Sequence, residues 1–380
     1  MDLLVHGAEA TDSAIDRLGG LVAEGGGGSS GAVFFWVSGC SCARGRPCPE
    51  RKVASAVVEN TLFYGDNLEV LRLHIKDESV DLIYLDPPFN SNATYCLSTS
   101  SIKRKSAQIK AFNDMWRWDE VSAKTYQEVV ESGGKVAEAM RAFRQLLGDN
   151  DMLAYLSMMA LRLVELRRVL KPTGSIYLHC DPTASHYLKV LMDAIYGARH
   201  FRNEIVWHYQ TGGASDSHLS RKHDIILLYA KGTDCYFDPW ASPDRRTEKA
   251  LQRAKNPKGA RIQVDSIFKL PMDVWIIQAL NPMEKERLGY PTQKPERLLE
   301  RIIRLSCPEN GIILDPFCGC GTAVAVAQRL NRQWIGIDIT HLAITLIKHR
   351  LNDAFGSDAK YNVVGVLPDA GPGGLLCDDQ

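Results

Sequence analysis

The chain has 380 residues, enough to bury a large core, and its 45 basic and 45 acidic side chains give a formal net charge of zero. This balance excludes a protein that holds nucleic acid through its overall charge, so such binding would need local basic patches. There is no apolar run of about 18 residues and no basic start followed by an apolar core, so we expect neither a membrane span nor a secretion signal. The cysteines are scattered, which favours a reduced, cytoplasmic setting.

The two ends of the chain differ in composition from the rest. Residues 1–58 contain a glycine-rich run that cannot anchor a core, and we expect this segment to be a flexible extension. Its Cys40, Cys42 and Cys48 lack a fourth ligand at a finger-like spacing, so we expect no metal site. Residues 361–380 are rich in glycine and proline and are interpreted as a C-terminal tail.

Residues 59–360 alternate between strand-like and helix-like segments, which predicts one α/β domain built on a parallel sheet. Apolar, β-prone runs predict strands at 61–64, 80–85, 174–179, 203–208, 224–229, 311–314 and 333–337. Helical periodicity predicts helices at 151–170, 183–196, 295–305, 321–330 and 340–351. The first of these helices has a clear stop signal in Lys171-Pro172-Thr173-Gly174.

Two stretches interrupt this alternation. Residues 94–150 are polar, with a helical second half, and are interpreted as an insertion. Residues 231–290 have no clean periodicity. Between Arg245 and Arg261, where Glu248 is the single acid, they hold a group of basic residues: Arg245, Arg246, Lys249, Arg253, Lys255, Lys258 and Arg261. A charge run of this kind can be a solvated helix face. Its excess of bases in a neutral chain nevertheless favours a phosphate-binding surface.

The strand predicted at 80–85 leads directly into Asp86-Pro87-Pro88-Phe89. This places the motif at the carboxyl end of a parallel strand, where open α/β sheets bind their ligands. The motif offers one carboxylate, two prolines that stiffen the chain and lack an N–H, and one aromatic ring. Taken alone, it is also compatible with a turn in which Asp86 only caps the residues that follow.

The strand predicted at 311–314 leads into Asp315-Pro316-Phe317-Cys318-Gly319-Cys320-Gly321. Glycines let the backbone approach a ligand closely, and the next helix presents its first N–H groups there. Asp338 ends the following strand, seventeen residues after Gly321, where an acid can accept hydrogen bonds from ribose hydroxyls. The pattern therefore predicts a nucleoside cofactor. A dinucleotide fits less well, because the third glycine of the dinucleotide fingerprint is missing.

Together the two motifs resemble those of the amino-group DNA methyltransferases, the DNA methylase N-4/N-6 family. The order resembles the circularly permuted beta-class branch, in which the catalytic motif precedes the cofactor motif. The resemblance extends over roughly residues 60–355 and implies S-adenosyl-L-methionine as the cofactor. It implies a doubly wound methyltransferase fold, with a mostly parallel seven-stranded sheet and one reversed strand. Residues 231–290 would then form a DNA-contacting, target-recognition region.

The resemblance also assigns the cofactor residues. In the family, Phe317 would lie against the cofactor and Asp338 would take the ribose. The string 290–295 looks like the companion motif that holds the methionine end, and 65–67 looks like the element that contacts the adenine edge. For Asp66 alone, a helix N-cap is an equally good interpretation. The implied cofactor-binding set is Asp66, Thr292, Lys294, Asp315, Phe317, Gly319, Gly321, Thr322 and Asp338.

The reaction that the resemblance implies is methyl transfer to the N6 amino group of a flipped adenine in double-stranded DNA. The catalytic residues would be Asp86, Pro87, Pro88 and Phe89: Asp86 and the Pro87 carbonyl accept the amine hydrogens, and Phe89 stacks on the base. The family more often has Ser in place of Asp86 for cytosine, so N4-cytosine transfer is the alternative. A non-catalytic DNA-binding relative and an RNA substrate are further alternatives. A homodimer and a separate restriction endonuclease are the candidate partners.

Two further strings lie at the ends of predicted strands, the first where a strand closes and the second where a strand begins. His179-Cys180-Asp181, with His186 nearby, could suggest a metal site, but a structural or pocket-lining role is favoured. The string that begins at His223-Asp224 looks like the hairpin strand that ends the family's catalytic half. Neither string is assigned a catalytic role.

Overall fold

The computed structural model describes residues 59–89, 93–98, 108–114, 116–210, 215–254, 267–281 and 283–365. The expected extension at 1–58 and the last residues of the expected tail lie outside this part of the chain. Among the described helices, none combines the length and the apolar character that crossing a lipid bilayer requires.

The secondary structure elements are numbered in chain order. The strands are β1 Thr61–Tyr64, β2 Val80–Leu85, β3 Ala93–Ser98, β4 Gln108–Asp114, β5 Leu170–Cys180, β6 Phe201–His208, β7 His223–Ala230, β8 Asp244–Arg245, β9 Phe268–Lys269, β10 Val274–Ile276, β11 Ile312–Asp315, β12 Gln333–Asp338 and β13 Asn362–Val364. The helices are α1 Asn67–His74, α2 Glu120–Glu131, α3 Gly134–Leu147, α4 Asp151–Val169, α5 Ser185–Tyr196, α6 Glu248–Ala254, α7 Glu296–Ser306, α8 Thr322–Arg329 and α9 His341–Phe355.

The central sheet has nine strands in the order β10-β6-β7-β5-β2-β11-β12-β1-β13. Strand β7 runs antiparallel to both of its neighbours, and every other pair in the sheet is parallel. The predicted mostly parallel α/β sheet with one reversed strand is therefore confirmed. The expected count of seven strands is wrong, because two short strands extend the sheet at its two edges.

Both additional strands are only three residues long, which is too short to produce a detectable period in the sequence. Strand β10 pairs with β6 and lies inside the stretch 231–290 that was expected to be an insertion. Strand β13 pairs with β1 and lies inside the stretch expected to be a tail, so the sheet continues beyond residue 361. The insertion at 94–150 contains the hairpin β3–β4 and the helices α2 and α3.

Helices cover both faces of the sheet, as a doubly wound fold requires. Side chains of β2 alternate between the two faces. Leu82 and Tyr84 pack in one buried cluster with α7, α8 and α9, whereas Ile83 and Leu85 pack in the other with α1 to α5. Because β2 is buried on both sides, all six of its residues are buried, and its sequence is a continuous apolar run apart from Asp81.

The sheet order brings the two sequence motifs together. Strands β2 and β11 are direct neighbours, with Leu82 opposite Ile313 and Ile83 opposite Leu314. Since the two strands are parallel, the residues that follow them, including Asp86, meet at the same edge of the sheet. Strand β12 lies on the other side of β11 and ends in Asp338 at that edge.

Candidate active site

The glycine turn between β11 and α8 is closely packed against the rest of the fold. Gly319 and Gly321 have positive φ angles of 50° and 75°. A Cβ atom on Gly321 would lie 2.7 Å from Cγ1 of the buried Ile347, and one on Gly319 would lie 3.1 Å from the ring of Tyr290. A side chain at position 321 would therefore meet both a steric clash and an unfavourable backbone conformation.

Asp338 holds this turn in place. Its Oδ2 accepts a hydrogen bond from the backbone N–H of Gly319 at 2.9 Å, and its Oδ1 accepts from the N–H and the hydroxyl of Thr340 at 2.8 and 2.7 Å. Burial raises the pKa of this carboxyl, and these hydrogen bonds act in the opposite direction. Both oxygens of Asp338 are therefore committed to this turn, and a ligand hydroxyl would share one of them, because a carboxylate oxygen can accept more than one hydrogen bond.

Asp315 and Phe317, at the start of the turn, are linked by a hydrogen bond. Asp315 is buried and accepts a hydrogen bond from the backbone N–H of Phe317 at 3.1 Å. Burial, reinforced by the nearby Asp86 and Asp338, raises its pKa well above the usual range of a carboxyl. Phe317 is partly exposed and also packs against the buried core.

The turn that includes Asp66 joins the same edge. The N–H of Gly65 donates to the backbone oxygen of Asp338 at 3.0 Å, and the side chain of Asn67 donates to that of Pro316 at 2.8 Å. Asp66 itself caps α1 by accepting from two backbone N–H groups, and its Oδ2 lies 2.7 Å from the guanidinium of Arg162. The N-cap interpretation of Asp66 is thus what the structure records.

Thr322 begins helix α8 and has a structural partner. It is buried, and its hydroxyl accepts a hydrogen bond from the guanidinium of Arg350 at 3.2 Å. Arg350 in turn lies 2.6 Å from Glu296, the first residue of α7. The side chain of Thr322 therefore ties α8 to α7 and α9.

Asp86 is the first residue of the Asp-Pro-Pro-Phe motif, and among the described residues only one of its two side-chain oxygens accepts a hydrogen bond. Its Oδ2 lies 2.5 Å from the ammonium of Lys294, and its side chain is 16% exposed. No group within the described ranges donates a hydrogen bond to its Oδ1, although this atom is buried. Pro87 is buried, and Pro88 and Phe89 are partly buried. A buried carboxylate oxygen without a donor is costly, so it is a candidate site for a ligand donor.

Lys294 and Thr292 are carried by a tight turn before α7. Thr292 is exposed and has a φ of 61°, which is rare for a β-branched residue. Its carbonyl accepts a hydrogen bond from Lys294 at 3.3 Å, and the Lys294 ammonium also lies 5.2 Å from the centre of the Phe89 ring. The buried ammonium therefore contacts the Asp-Pro-Pro-Phe motif, and not only the half of the site expected to hold the cofactor.

Further side chains surround Asp86 that the sequence did not single out as functional. His179 is fully buried, and its Nδ1 lies 3.2 Å from the hydroxyl of Tyr84 and 3.9 Å from Oδ1 of Asp86. Its Nε2 lies 3.1 Å from Oδ2 of Asp224, whose Oδ1 accepts from the hydroxyl of Tyr209 at 3.0 Å. The available signals in the sequence were the polar string that closes the predicted strand at 174–179 and the string that begins at His223-Asp224.

The basic region is described in part. Arg245 and Lys249 are exposed, and Arg245 lies 3.6 Å from Glu248. The backbone N–H of Arg246 donates to Ile267, where β8 pairs with β9. Arg253 is in helix α6, but its side chain lies outside the described residues, as do three further predicted DNA-binding residues: Lys255, Lys258 and Arg261.

The glycine turn, the carboxylate of Asp338 and the carboxylate of Asp86 lie at one edge of a parallel sheet, which is the edge where α/β proteins bind their ligands. Comparison with protein families identifies the class further. Residues 80–349 match the family described as DNA methylase. Because the match covers more than half of the chain, the chain belongs to the DNA methylase family.

Individual relatives agree with this assignment. The Type II methyltransferase M.HpaI of Haemophilus parainfluenzae is 35% identical over 51% of this chain and 58% of its own length. The Type II methyltransferase M2.LlaDCHI of Lactococcus lactis subsp. cremoris is 30% identical over 77% of this chain and 88% of its own length. The DNA adenine methyltransferase YhdJ of Escherichia coli (strain K12) is 26% identical over 77% of this chain and 83% of its own length. The chain spans less than two thirds of the Haemophilus protein.

Proposed function

We propose that the protein transfers the methyl group of S-adenosyl-L-methionine to the N6 amino group of an adenine in double-stranded DNA. The single observation that carries this proposal is the free, buried Oδ1 of Asp86 at the sheet edge where the glycine turn also lies. Membership of the DNA methylase family and the name of the Escherichia coli relative support the substrate. Two other relatives are named Type II methyltransferases, and we infer from this a restriction–modification role in which a separate endonuclease is a partner.

The residues present fit the cofactor. The turn leaves no room for a Cβ at position 321, and the carboxylate of Asp338, which can only accept hydrogen bonds when it is ionised, lies beside it. We infer that Gly319 and Gly321 allow close approach of the cofactor, that Phe317 and Asp315 line its site, and that Asp338 accepts from its ribose. When bound, S-adenosyl-L-methionine supplies an electrophilic methyl group on a sulfonium. Asp66 and Thr322 would contribute through the shape of their turns.

The role of Asp86 follows from the chemistry of an amino group on a base. The nitrogen lone pair is delocalised into the ring, so the amine needs acceptors for its two hydrogens and a fixed direction toward the methyl group. Oδ1 of Asp86 accepts a hydrogen bond from one N–H of the amine, and the backbone carbonyl of Pro87 accepts a hydrogen bond from the other. Neither Pro87 nor Pro88 has an N–H that could compete for these acceptors. Phe89 offers its face to the base.

Lys294 fixes the acceptor geometry. Its ammonium lies 2.5 Å from Oδ2 of Asp86 and is buried, so the carboxylate is held by a charge-assisted hydrogen bond on the side away from the free oxygen. The two oxygens of Asp86 thereby have separate tasks. Oδ2 anchors the side chain, and Oδ1 receives the substrate.

An adenine inside a duplex cannot reach Asp86, so the base must leave the stack, at a cost on the order of a few kcal/mol. We infer that residues 231–290, with the exposed Arg245 and Lys249, bind the DNA backbone and recognise the target sequence. A second copy of the chain is a further proposed partner.

The proposal is tested by methyl transfer from labelled S-adenosyl-L-methionine to unmethylated genomic DNA, followed by nucleoside analysis. We expect N6-methyladenine. N4-methylcytosine would overturn the assignment of the base, and label in RNA alone would overturn the assignment of the nucleic acid.

The Asp86→Ala variant gives the matched test of the site. We expect loss of methyl transfer by at least about 100-fold with unchanged binding of S-adenosyl-L-methionine, because Asp86 accepts from the substrate and not from the cofactor. Methylation by Asp86→Ala at the wild-type rate would refute the role of Asp86.

A further inference from the structure

Asp86 is surrounded by side chains that could compete with the substrate amine for its free oxygen, Oδ1. Three side chains that can donate hydrogen bonds lie near this carboxylate: Lys294, Tyr84 and His179. Only Lys294 donates to it, through Oδ2. The ring nitrogen Nδ1 of His179 is 3.9 Å from Oδ1 and makes its hydrogen bond with the Tyr84 hydroxyl at 3.2 Å. A hydrogen on Nδ1 would attract Oδ1 and, with a movement that closes this 3.9 Å gap, would occupy the acceptor that the substrate amine needs.

The position of the ring hydrogen on His179 decides whether this happens. Nε2 of His179 lies 3.1 Å from Oδ2 of Asp224, and an ionised carboxylate can only accept. Nε2 must therefore carry a hydrogen. In the neutral ring, Nδ1 is then the acceptor, and it captures the hydroxyl hydrogen of Tyr84.

The ionisation states of the two flanking groups agree with this arrangement. Burial works against the charged form of Asp224, but the hydrogen bonds from His179 and Tyr209 and the nearby positive charge together outweigh it, so the pKa of this carboxyl is lowered. Burial, with the nearby Asp86, raises the pKa of Tyr84 well above its usual value, so Tyr84 keeps its hydrogen. The hydroxyl of Tyr209 holds the other oxygen of Asp224 at 3.0 Å and fixes its orientation.

We propose that Asp224 is a positioning residue that, through the tautomer of His179, keeps Oδ1 of Asp86 free for the substrate amine. Asp224 accepts a hydrogen bond from Nε2 of His179 and so keeps the ring hydrogen on that nitrogen. Nδ1 of His179 is then an acceptor for the Tyr84 hydroxyl, and Tyr84 donates to His179 instead of to Asp86. The three residues come from the neighbouring strands β7, β5 and β2. This role rests on the proposed function, because it concerns the amine that Asp86 receives.

The test uses Asp224→Asn in the full chain. An asparagine amide can donate to Nε2, which places the ring hydrogen on Nδ1, next to Tyr84 and Asp86. We expect kcat to fall on the order of 100-fold, as for the loss of one transition-state partner, while the Kd of S-adenosyl-L-methionine stays within about twofold. Asp193→Asn is the matched control, because Asp193 also accepts from a tyrosine hydroxyl, that of Tyr229, but has no contact with the site.

A second readout does not depend on activity. Nitrogen NMR of protein labelled in its histidine rings, with the His179 signals assigned by their loss in His179→Gln, reports which ring nitrogen carries the hydrogen. We expect the hydrogen on Nε2 alone in the wild type and on Nδ1 in Asp224→Asn. A wild-type hydrogen on Nδ1, a kcat of Asp224→Asn within about threefold of wild type, or a parallel loss of cofactor binding would each overturn the proposal.

The two proposals fail in distinguishable ways. A wild-type protein that methylates neither adenine nor cytosine would refute the proposed function, whereas the tautomer of His179 would still be measured by NMR. An active wild type with the wrong tautomer would refute the role of Asp224 only.

Discussion

At the scale of single residues, the site depends on a carboxylate that is held by one oxygen and left free at the other. Lys294 is the group that holds it, and the two charges are almost buried, with side-chain exposures of 9% and 16%. Breaking a buried ion pair by removing one partner leaves an uncompensated charge, whereas removing both charges is often nearly neutral. The Lys294–Asp86 pair can therefore be tested for its contribution to stability as well as to catalysis.

We predict that Lys294→Met lowers the free energy of unfolding by on the order of 3 kcal/mol, because Asp86 loses the partner of its charge. The double variant Lys294→Met/Asp86→Asn should recover most of this loss, since it buries no charge. Urea-induced unfolding of the wild type, both single variants and the double variant measures the coupling. Equal destabilisation of Lys294→Met and the double variant would show that the lysine acts through packing alone.

At the scale of secondary structure elements, the turn between β11 and α8 joins the sheet edge to the helix layer. The backbone of Gly321 has a left-handed conformation, and a Cβ atom there would lie 2.7 Å from the side chain of Ile347 in α9. We predict that Gly321→Ala lowers the free energy of unfolding by about 2–4 kcal/mol, as the sum of the backbone and steric costs, and weakens cofactor binding. Unfolding in urea and calorimetric titration with S-adenosyl-L-methionine measure the two effects.

A control variant and a double variant test whether the clash with Ile347 contributes to the loss of stability in Gly321→Ala. Gly65→Ala changes a glycine of the adjoining turn where a Cβ would meet only ordinary contact at 3.7 Å, so its stability should change by less than about 1 kcal/mol. In Gly321→Ala/Ile347→Ala, the new methyl group occupies space that Ile347 leaves, so the double variant should be more stable than the sum of the single changes predicts. Strict additivity would contradict the steric explanation.

Prediction from sequence succeeded at this scale where an element is long or buried. The strands around both motifs and the helix α4, which begins after the N-cap Asn150, follow from apolar runs and clear stop signals. The edge strands β10 and β13 could not be predicted, because three residues pair only where the rest of the sheet already offers an edge.

The same limit applies to the site. Asp86, the glycine turn and Asp338 are adjacent to predicted strand ends, so their meeting at one sheet edge follows from parallel topology. The contact between Lys294 and Asp86 joins residues 208 positions apart, and the Asp224–His179–Tyr84 contacts join three strands. The first contact depends on how the turn before α7 packs against the sheet edge, and the others depend on the register between strands, which the sequence of any one strand does not contain.

At the scale of the whole molecule, a chain of zero net charge would have to bind the proposed DNA substrate through a local surface, so the affinity should fall with salt according to the number of phosphates contacted. We predict that Arg245→Ala/Lys249→Ala reduces the slope of log K against log salt concentration by about 2, measured by fluorescence anisotropy with a DNA duplex. The control is Lys76→Ala, an exposed lysine ahead of β2, at the end of that strand away from Asp86. A slope that changes equally in both variants would place the DNA elsewhere, because only a phosphate contact releases a counterion from the duplex.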